Sequence, residues 1–473
     1  MTRALHLDRR AALATVGTAL TAGCLDSGRS TSLLGVDPTP AKRDDDWRMY
    51  GRDPGRTRFV PDVTLPRDGV SIAWERSTSA SGWRPPVVAD GTVYCQYVNG
   101  LFVLGVDTGD GIEAKTYSGF GSGTGPMAFA STEVYRDGTL LVPYGESTAG
   151  YAADPDSWPP KIHGLGDGRA RWWIDGETVS ASFPGTSSES SWLASPVVVD
   201  GTVVSVHPAS GVVRASDPND GSSRWRVDLE ATVSEEDHLS VHGHVVDTAT
   251  GTVVLKGRFV RDGYIVGEPR LVGIDLSTGS IEWTVDDGRV NERTEFAEEA
   301  DSLAARDGSV YTVDWTDSSR ELRILEIDAE TGERGWTQSL ERSEHVGIAV
   351  DESTLYHVGL EAESGVDPFA VAAVSLDDGS VRWERTIDDS VGNVWSPHMP
   401  PPTVADEHLL VPGDRGLHAL DRKTGDRLWT FTEMVGTSGG GETERAGLTP
   451  AVVSDDRIVL GTTLVLYGLE GGG

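Results

Sequence analysis

The chain has 473 residues, enough for two or three ordinary domains or for one large repeat architecture. Its 74 acidic and 40 basic residues leave a formal charge of −34, only five of the basic residues are lysine, and the acid excess runs along the whole chain. Such a surface repels nucleic acid phosphates and repels itself unless concentrated salt screens it, the Debye length falling to roughly 3 Å at 1 M, so the composition predicts a salt-adapted protein that does not bind nucleic acid. The two cysteines, Cys24 and Cys95, exclude a disulfide framework. Cys95 sits in the apolar run Val93 to Tyr97 and reads as a small buried thiol.

In chain order, residues 1–23 come first, with Arg9-Arg10, a weakly apolar stretch from Ala11 to Leu20, and Thr21-Ala22-Gly23 before Cys24. This layout is that of a processed signal peptide. The paired arginines resemble a twin-arginine export signal, and Ala22-Gly23-Cys24 resembles a lipobox, in which the cysteine receives the lipid. Asp8 and Thr21 depart from the Ser or Thr and the Leu usual at those positions. The expectation is an exported protein at the outer face of the cytoplasmic membrane, touching it only through a lipid on Cys24. Residues 24–46, rich in Ser, Thr, Pro and Asp, read as a flexible tether.

From residue 47 onward one phrase recurs: Asp, then Thr or Asp three residues later, then Gly, then Trp four residues after the Gly. Its full copies are Asp217/Gly221/Trp225, Asp275/Gly279/Trp283, Asp328/Gly332/Trp336 and Asp421/Gly425/Trp429. Partial copies contain Gly168 with Trp172, Gly379 with Trp383, and Asp107 with Gly111, where Lys115 takes the place of Trp. The seven glycines lie 46 to 58 residues apart, the length of a four-stranded unit. Asp accepts hydrogen bonds from the following main-chain N–H groups, Gly supplies a positive φ, and Trp lies on the outgoing strand. Two residues before the Asp stands a small residue in most copies (Gly105, Ala215, Gly273, Ala373, Ala419), which predicts room for an indole from a neighbouring unit.

Upstream of each turn, apolar residues flank Asp-Gly, as at Asp90-Gly91, Asp200-Gly201 and Asp307-Gly308, a strong hairpin signal. Each repeat is therefore strand, hairpin, strand, strand, Gly turn, Trp-bearing strand. An eighth repeat starts at Thr449 and runs out of chain near Glu470, while residues 70–77 form an orphan Trp-bearing strand ahead of the first. Joining the two removes both open edges. The predicted fold over residues 47–470 is all-β, an eight-bladed β-propeller of four-stranded antiparallel blades, closed by the N-terminal strand pairing with the C-terminal blade.

The turn phrase resembles the tryptophan-docking motif of the pyrroloquinoline quinone (PQQ)-like propeller repeats, here of a haloarchaeal lipoprotein type, and Trp47 to Phe59 resembles the segment that leads into the first strand in that family. Quinone-dependent dehydrogenases of this family hold the cofactor near the axis with adjacent cysteines, a stacked Trp, and a Glu, Asn and Asp set around Ca²⁺. This chain has no adjacent cysteines, so the resemblance assigns no catalytic or cofactor-binding residue, and PQQ with calcium has no motif to hold it. The expectation is a monomeric, non-enzymatic module that takes a protein or an extracellular ligand at one face of the ring; the alternative is a PQQ- or metal-dependent oxidoreductase. Outside the repeats, Glu235-Glu236-Asp237 with His242 and His244 is the densest group of ligand-type residues. On a regular strand the two histidines share a face, which suits zinc. The insertion 145–161 and the Gly-rich stretch 436–444 read as candidate binding loops.

Overall fold

The computed structural model describes residues 46–472 apart from 78–82, 98–99, 116–124, 136, 145–146, 154–169, 175–194, 209–210, 230–237, 262–263, 287–300, 316–320, 343, 362–367, 391–399, 414–415, 434–447 and 463. Eight sheets account for the regular structure of these residues. They are blade 1 (87–115), blade 2 (128–174), blade 3 (197–228), blade 4 (238–286), blade 5 (303–341), blade 6 (344–390), blade 7 (403–431) and blade 8, which joins 452–471 to 70–77. Blade 3 shows the pattern: Val197–Val199, Thr202–His207, Val212–Ser216 and Ser223–Asp228 lie side by side in chain order. The first strands of successive blades touch one another around the axis, and the Trp-bearing fourth strands form the rim.

The ring closes as the repeat arithmetic requires. Val70–Ser77 runs antiparallel to Val465–Gly471, from Val70 opposite Gly471 to Ser77 opposite Val465. Blade 7 gains a short fifth strand, Phe59–Val60, parallel to Thr403–Ala405. The predicted loop 145–161 needs correction, because Ser147–Ala152 is the third strand of blade 2, paired along Thr139–Tyr144, and its Tyr151 is buried. Residues 145–146 and 154–161 of that stretch and 436–444 lie outside the described residues, as do residues 1–45 with Cys24.

The repeated turns and tryptophans are the clamps between blades. In blade 4, Asp275 Oδ1 accepts the N–H of Ser277 at 3.1 Å and that of Thr278 at 2.7 Å, and Gly279 N–H closes on Asp275 O at 2.8 Å. Asp328 and Asp421 organise their turns in the same way, and Asp217 accepts from Asn219. Gly221 N–H closes on Asp217 O at 2.9 Å and Gly425 N–H on Asp421 O at 2.8 Å. Gly279, at φ +77°, presents a bare face to Trp225 of blade 3: a Cβ there would lie 2.8 Å from the indole. The indole N–H of Trp225 then donates to Leu276 O at 2.7 Å. Trp172 repeats this on blade 3, Trp283 on blade 5, Trp336 on blade 6, Trp383 on blade 7 and Trp74 on blade 1, while Trp429 donates to Pro66 O on the way into blade 8. Burying about 200 Å² of indole contributes up to about 5 kcal/mol at each seam before ordering entropy.

Two details of the expected clamp are corrected. The small residue before each Asp makes room for the blade's own Trp, since Ala215 pairs with Trp225, Gly273 with Trp283, Ala373 with Trp383 and Ala419 with Trp429 across adjacent strands. The turn glycines, expected only to supply a positive φ, are what receives the neighbour's ring. Gly221 (φ +71°) faces Trp172 of blade 2, where a Cβ would lie 2.7 Å from the indole, and Gly425 (φ +73°) faces Trp383 of blade 6, where it would lie 2.6 Å away. The partner of each Asp–Gly turn is thus the Trp of the preceding blade, and not the Trp four residues downstream in its own phrase. In blade 1 the turn glycine is Gly109, which bonds to Gly105 O and faces Trp74, so the position of the missing Trp is Glu113 and not Lys115.

Candidate functional site: a main-chain plug at the axis

The last pair of each blade's first hairpin fixes which main-chain groups point inward, whether its turn has two residues, as in blades 1, 5 and 7, or more, as in blades 2 and 4. The residues flanking the turn share both their hydrogen bonds, so the next residue back turns its N–H and C=O away from its own sheet. On the first strand of a blade, that direction is toward the axis. Six of these inward N–H groups meet one stretch of chain: Val88 donates to Trp47 O (2.9 Å), Phe129 to Arg48 O (2.6 Å), Val246 to Pro54 O (2.8 Å), Ala305 to Gly55 O (2.8 Å), Val350 to Thr57 O (2.8 Å) and Val404 to Arg58 O (2.9 Å). Residues 47–58 thus circle the axis as a plug, touching blades 1, 2, 4, 5, 6 and 7 in turn.

So tight a path needs left-handed backbone. Gly51 and Arg52 stand at φ +77°, Arg56 at +53° and Arg58 at +54°, and a Cβ on Gly51 would sit 2.6 Å from that of Arg56, so glycine is required there. Asp53 holds the turn by accepting the N–H of Thr57 at 2.9 Å. Below it, Tyr50 donates to Asp301 at 2.6 Å, Arg58 pairs with the same carboxylate, and the guanidinium groups of Arg56 and Arg58 lie 5.4 and 5.0 Å from the Tyr50 ring centre. Burial, and then the Asp301 charge, push the Tyr50 phenol far above its ordinary value; burial pulls Arg56 down to about 10. Tyr50, Asp301 and Arg58 bind one another and stabilise the plug, and Arg56 donates to Ser195 O at 3.2 Å.

Between the plug and blades 2 to 5 is a cleft of about 620 Å³, with Phe129 and Ser131 on one side, Thr248 and Arg306 on the other, and Arg52 and Val198 along its length. Charges of both signs line it, Arg48, Arg52 and Arg306 against Asp53, Asp200, Asp247 and Asp307.

The structure places the proposed zinc pair in this neighbourhood but does not make it a ligand set. A bulge between Val241 and Gly243 breaks the alternation that would have put His242 and His244 on one face. His244 Nε2 lies 3.5 Å from Arg56 Nη2, and since a guanidinium only donates, that nitrogen is an acceptor facing a cation. Burial and Arg56 hold His244 well below the usual imidazole range. Glu235 to Asp237 lie outside the described residues, and no group of three or more His, Cys, Asp or Glu converges among the described ones. Cys95 is wholly buried and burial pushes its thiol up, as expected for a packing residue.

A family model described as "Outer membrane protein assembly factor BamB", built on PQQ-like repeats, matches residues 209–325 and 320–472, together more than half of the chain. The chain belongs to the PQQ-like propeller family. A curated relative, the outer membrane protein assembly factor BamB of Moranella endobia (strain PCIT), is 23% identical over 31% of this chain, which spans 44% of that relative's length. Among solved structures, a quinohemoprotein alcohol dehydrogenase from Comamonas testosteroni aligns over 91% of this chain and 81% of its own, with a TM-score of 0.59 and 12% identity. BamB from Moraxella catarrhalis aligns over 85% of this chain and 100% of its own, with a TM-score of 0.50 and 13% identity. At such identities these PQQ-like relatives share the fold alone.

The described residues do not fit the quinone that gives the family its name. At this end of the axis the space is filled by Trp47, Met49, Tyr50, Arg56 and Arg58, all buried. Cys95, the free thiol, lies inside blade 1.

Proposed function

We propose that this chain is a non-enzymatic scaffold that holds a partner protein at one face of the propeller. The observation that supports this most is the plug: the axial space that a catalytic centre would use is taken by the chain's own backbone, and within it the buried Arg58 is paired with Asp301. The relatives named as assembly factors carry the same repeats. The reading includes export to the outer face of the cytoplasmic membrane, a lipid on Cys24, and an acidic surface suited to concentrated salt. In-cell cross-linking of the full-length protein, followed by purification in high salt, tests it. The expected result is a stoichiometric complex with one envelope protein, and Cys24→Ala should release the protein from the membrane fraction. A monomer that instead binds PQQ with Ca²⁺ saturably in calorimetry at micromolar affinity would replace this reading with the oxidoreductase.

A further inference from the structure

The plug bonds to six of the eight blades and, between two that it does reach, passes over blade 3. After Met49 O accepts Arg52 N–H at 2.9 Å, the chain turns inward at Tyr50 and re-emerges at Pro54, beside blade 4. Blade 3 is skipped. Its first strand has the same hairpin as blades 1 and 7: Val199 pairs with Thr202 around Asp200-Gly201, and Val198 with Val203. By the same parity, Val198 directs its N–H and C=O toward the axis. Among the described residues no main-chain carbonyl is bonded to that N–H. Val198 is partly exposed on the wall of the cleft, whereas Val88 and Val404 at the equivalent positions are fully buried under the plug. In blade 8 the equivalent Val453 is also out of the plug's reach, but it is completely buried.

We propose that the cleft above blade 3 is the docking site for an extended segment of the partner protein, which makes with Val198 the bridge that Trp47 makes with Val88. This rests on the scaffold reading and locates its contact. The occupant is argued from continuity: the same ring of inward amides is already covered at six blades by extended or tightly turned main chain. At Val88 the bridge is reciprocal, N–H to O at 2.9 Å in both directions. The cleft continues that surface at the seventh position, and its volume falls within the range that encloses a ligand. Its walls carry both signs of charge, so the main chain provides the recognition, with Phe129 and Val246 offering apolar contact to alternate side chains.

The test places a photo-crosslinking amino acid at exposed, cleft-lining Thr248, or at exposed Arg226 on the rim, in the full-length protein in its producing cell. The protein joined at 248 is then presented as overlapping synthetic peptides to the purified propeller. One extended peptide should bind, with Val198→Ala changing its affinity less than threefold and Val198→Pro, which lacks the amide hydrogen, weakening it at least tenfold. Thr248→Trp fills the cleft without touching that amide and should weaken binding as much, which keeps the test valid if Val198→Pro fails to fold. A partner joined at 226 but never at 248, or a peptide indifferent to Val198→Pro and Thr248→Trp, overturns the site while leaving the scaffold reading standing. No polypeptide joined at either position overturns both.

Discussion

Seven of the eight seams between blades are closed by an indole at the rim, and the seam between blades 1 and 2 is closed near the axis instead. The outer strand of blade 1 has Glu113 where its counterparts have Trp. What holds blade 2 to blade 1 is the start of the plug: the Trp47–Val88 and Met49–Ala128 bridges, and Arg48, bound to Asp46 at 2.7 Å, Ser131 at 2.5 Å and Asp90 at 3.1 Å and lying over Phe129. Tyr94 and Phe129 add a ring contact at 5.9 Å. The comparison teaches that a repeat protein can lose one copy of its adhesive if a non-repeated segment bridges the same gap.

Trp283→Ala should cost about 4 kcal/mol in a urea unfolding series in constant high salt, because it opens a cavity and strands the Ala329 carbonyl. Arg48→Met should cost about 3 kcal/mol by the same measurement, since it leaves Asp46 buried without its cation. In this variant hydrogen exchange should quicken in blades 1 and 2 and not at the indole seams. Lowering the pH from 7 to 4.5 should weaken the ring by on the order of 2 kcal/mol from His207 alone, with His244 and His357 adding to the loss. His207, held down to about 4 by burial, and His244 and His357, held well below the usual imidazole range by burial and neighbouring positive groups, stay neutral in the folded chain while the unfolded chain takes up protons below about 6.5. Their folded-state values are depressed, so stability is complete above about 6.5 and is lost as the pH falls toward 4. Gly332→Ala should cost about 2 kcal/mol, from φ +74° and a Cβ 2.8 Å from Trp283, and much less in a Trp283→Ala background. The smallest effect is expected for Trp336→Phe, about 1 kcal/mol, because this side chain is only partly buried, one aromatic ring stays in the seam, and what is lost is the pyrrole part with its 2.8 Å bond to Leu376 O.

Much of the fold was legible because its signals are local. Asp275, Gly279 and Trp283 sit within nine consecutive residues and each does its own chemistry, and the count of repeats closed the ring through Trp74. Errors arose where register mattered. The small residue Gly273 lies opposite Trp283 only because a bulge separates Gly273 from Ile274, and a second bulge at His242 undid the shared face of the two histidines. That Gly221 and Gly425 dock an indole from about fifty residues upstream is a contact between blades, which the phrase within one blade does not encode. In blade 1, two glycines two residues apart, Gly109 and Gly111, made the phase ambiguous. The plug was the largest omission: residues 47–59 read as a lead-in to the first strand. Its contacts use main-chain carbonyls, which every residue has, so its sequence signal was limited to the crowding of Gly51, Arg52, Arg56 and Arg58 into left-handed backbone.

The plug also sets an order of assembly. Residues 47–58 leave the ribosome before any blade, yet their partners are distributed as far along the chain as Val404, and contacts of such sequence separation form slowly. The blades can condense as neighbours in order of synthesis. The segment made first is seated only when blade 7 exists, and the strand at 70–77 waits longer still, for residues 465–471. A chain broken off before residue 465 would therefore leave the strand at 70–77 unpaired, so blade 8 must be made before the domain can commit to its native state.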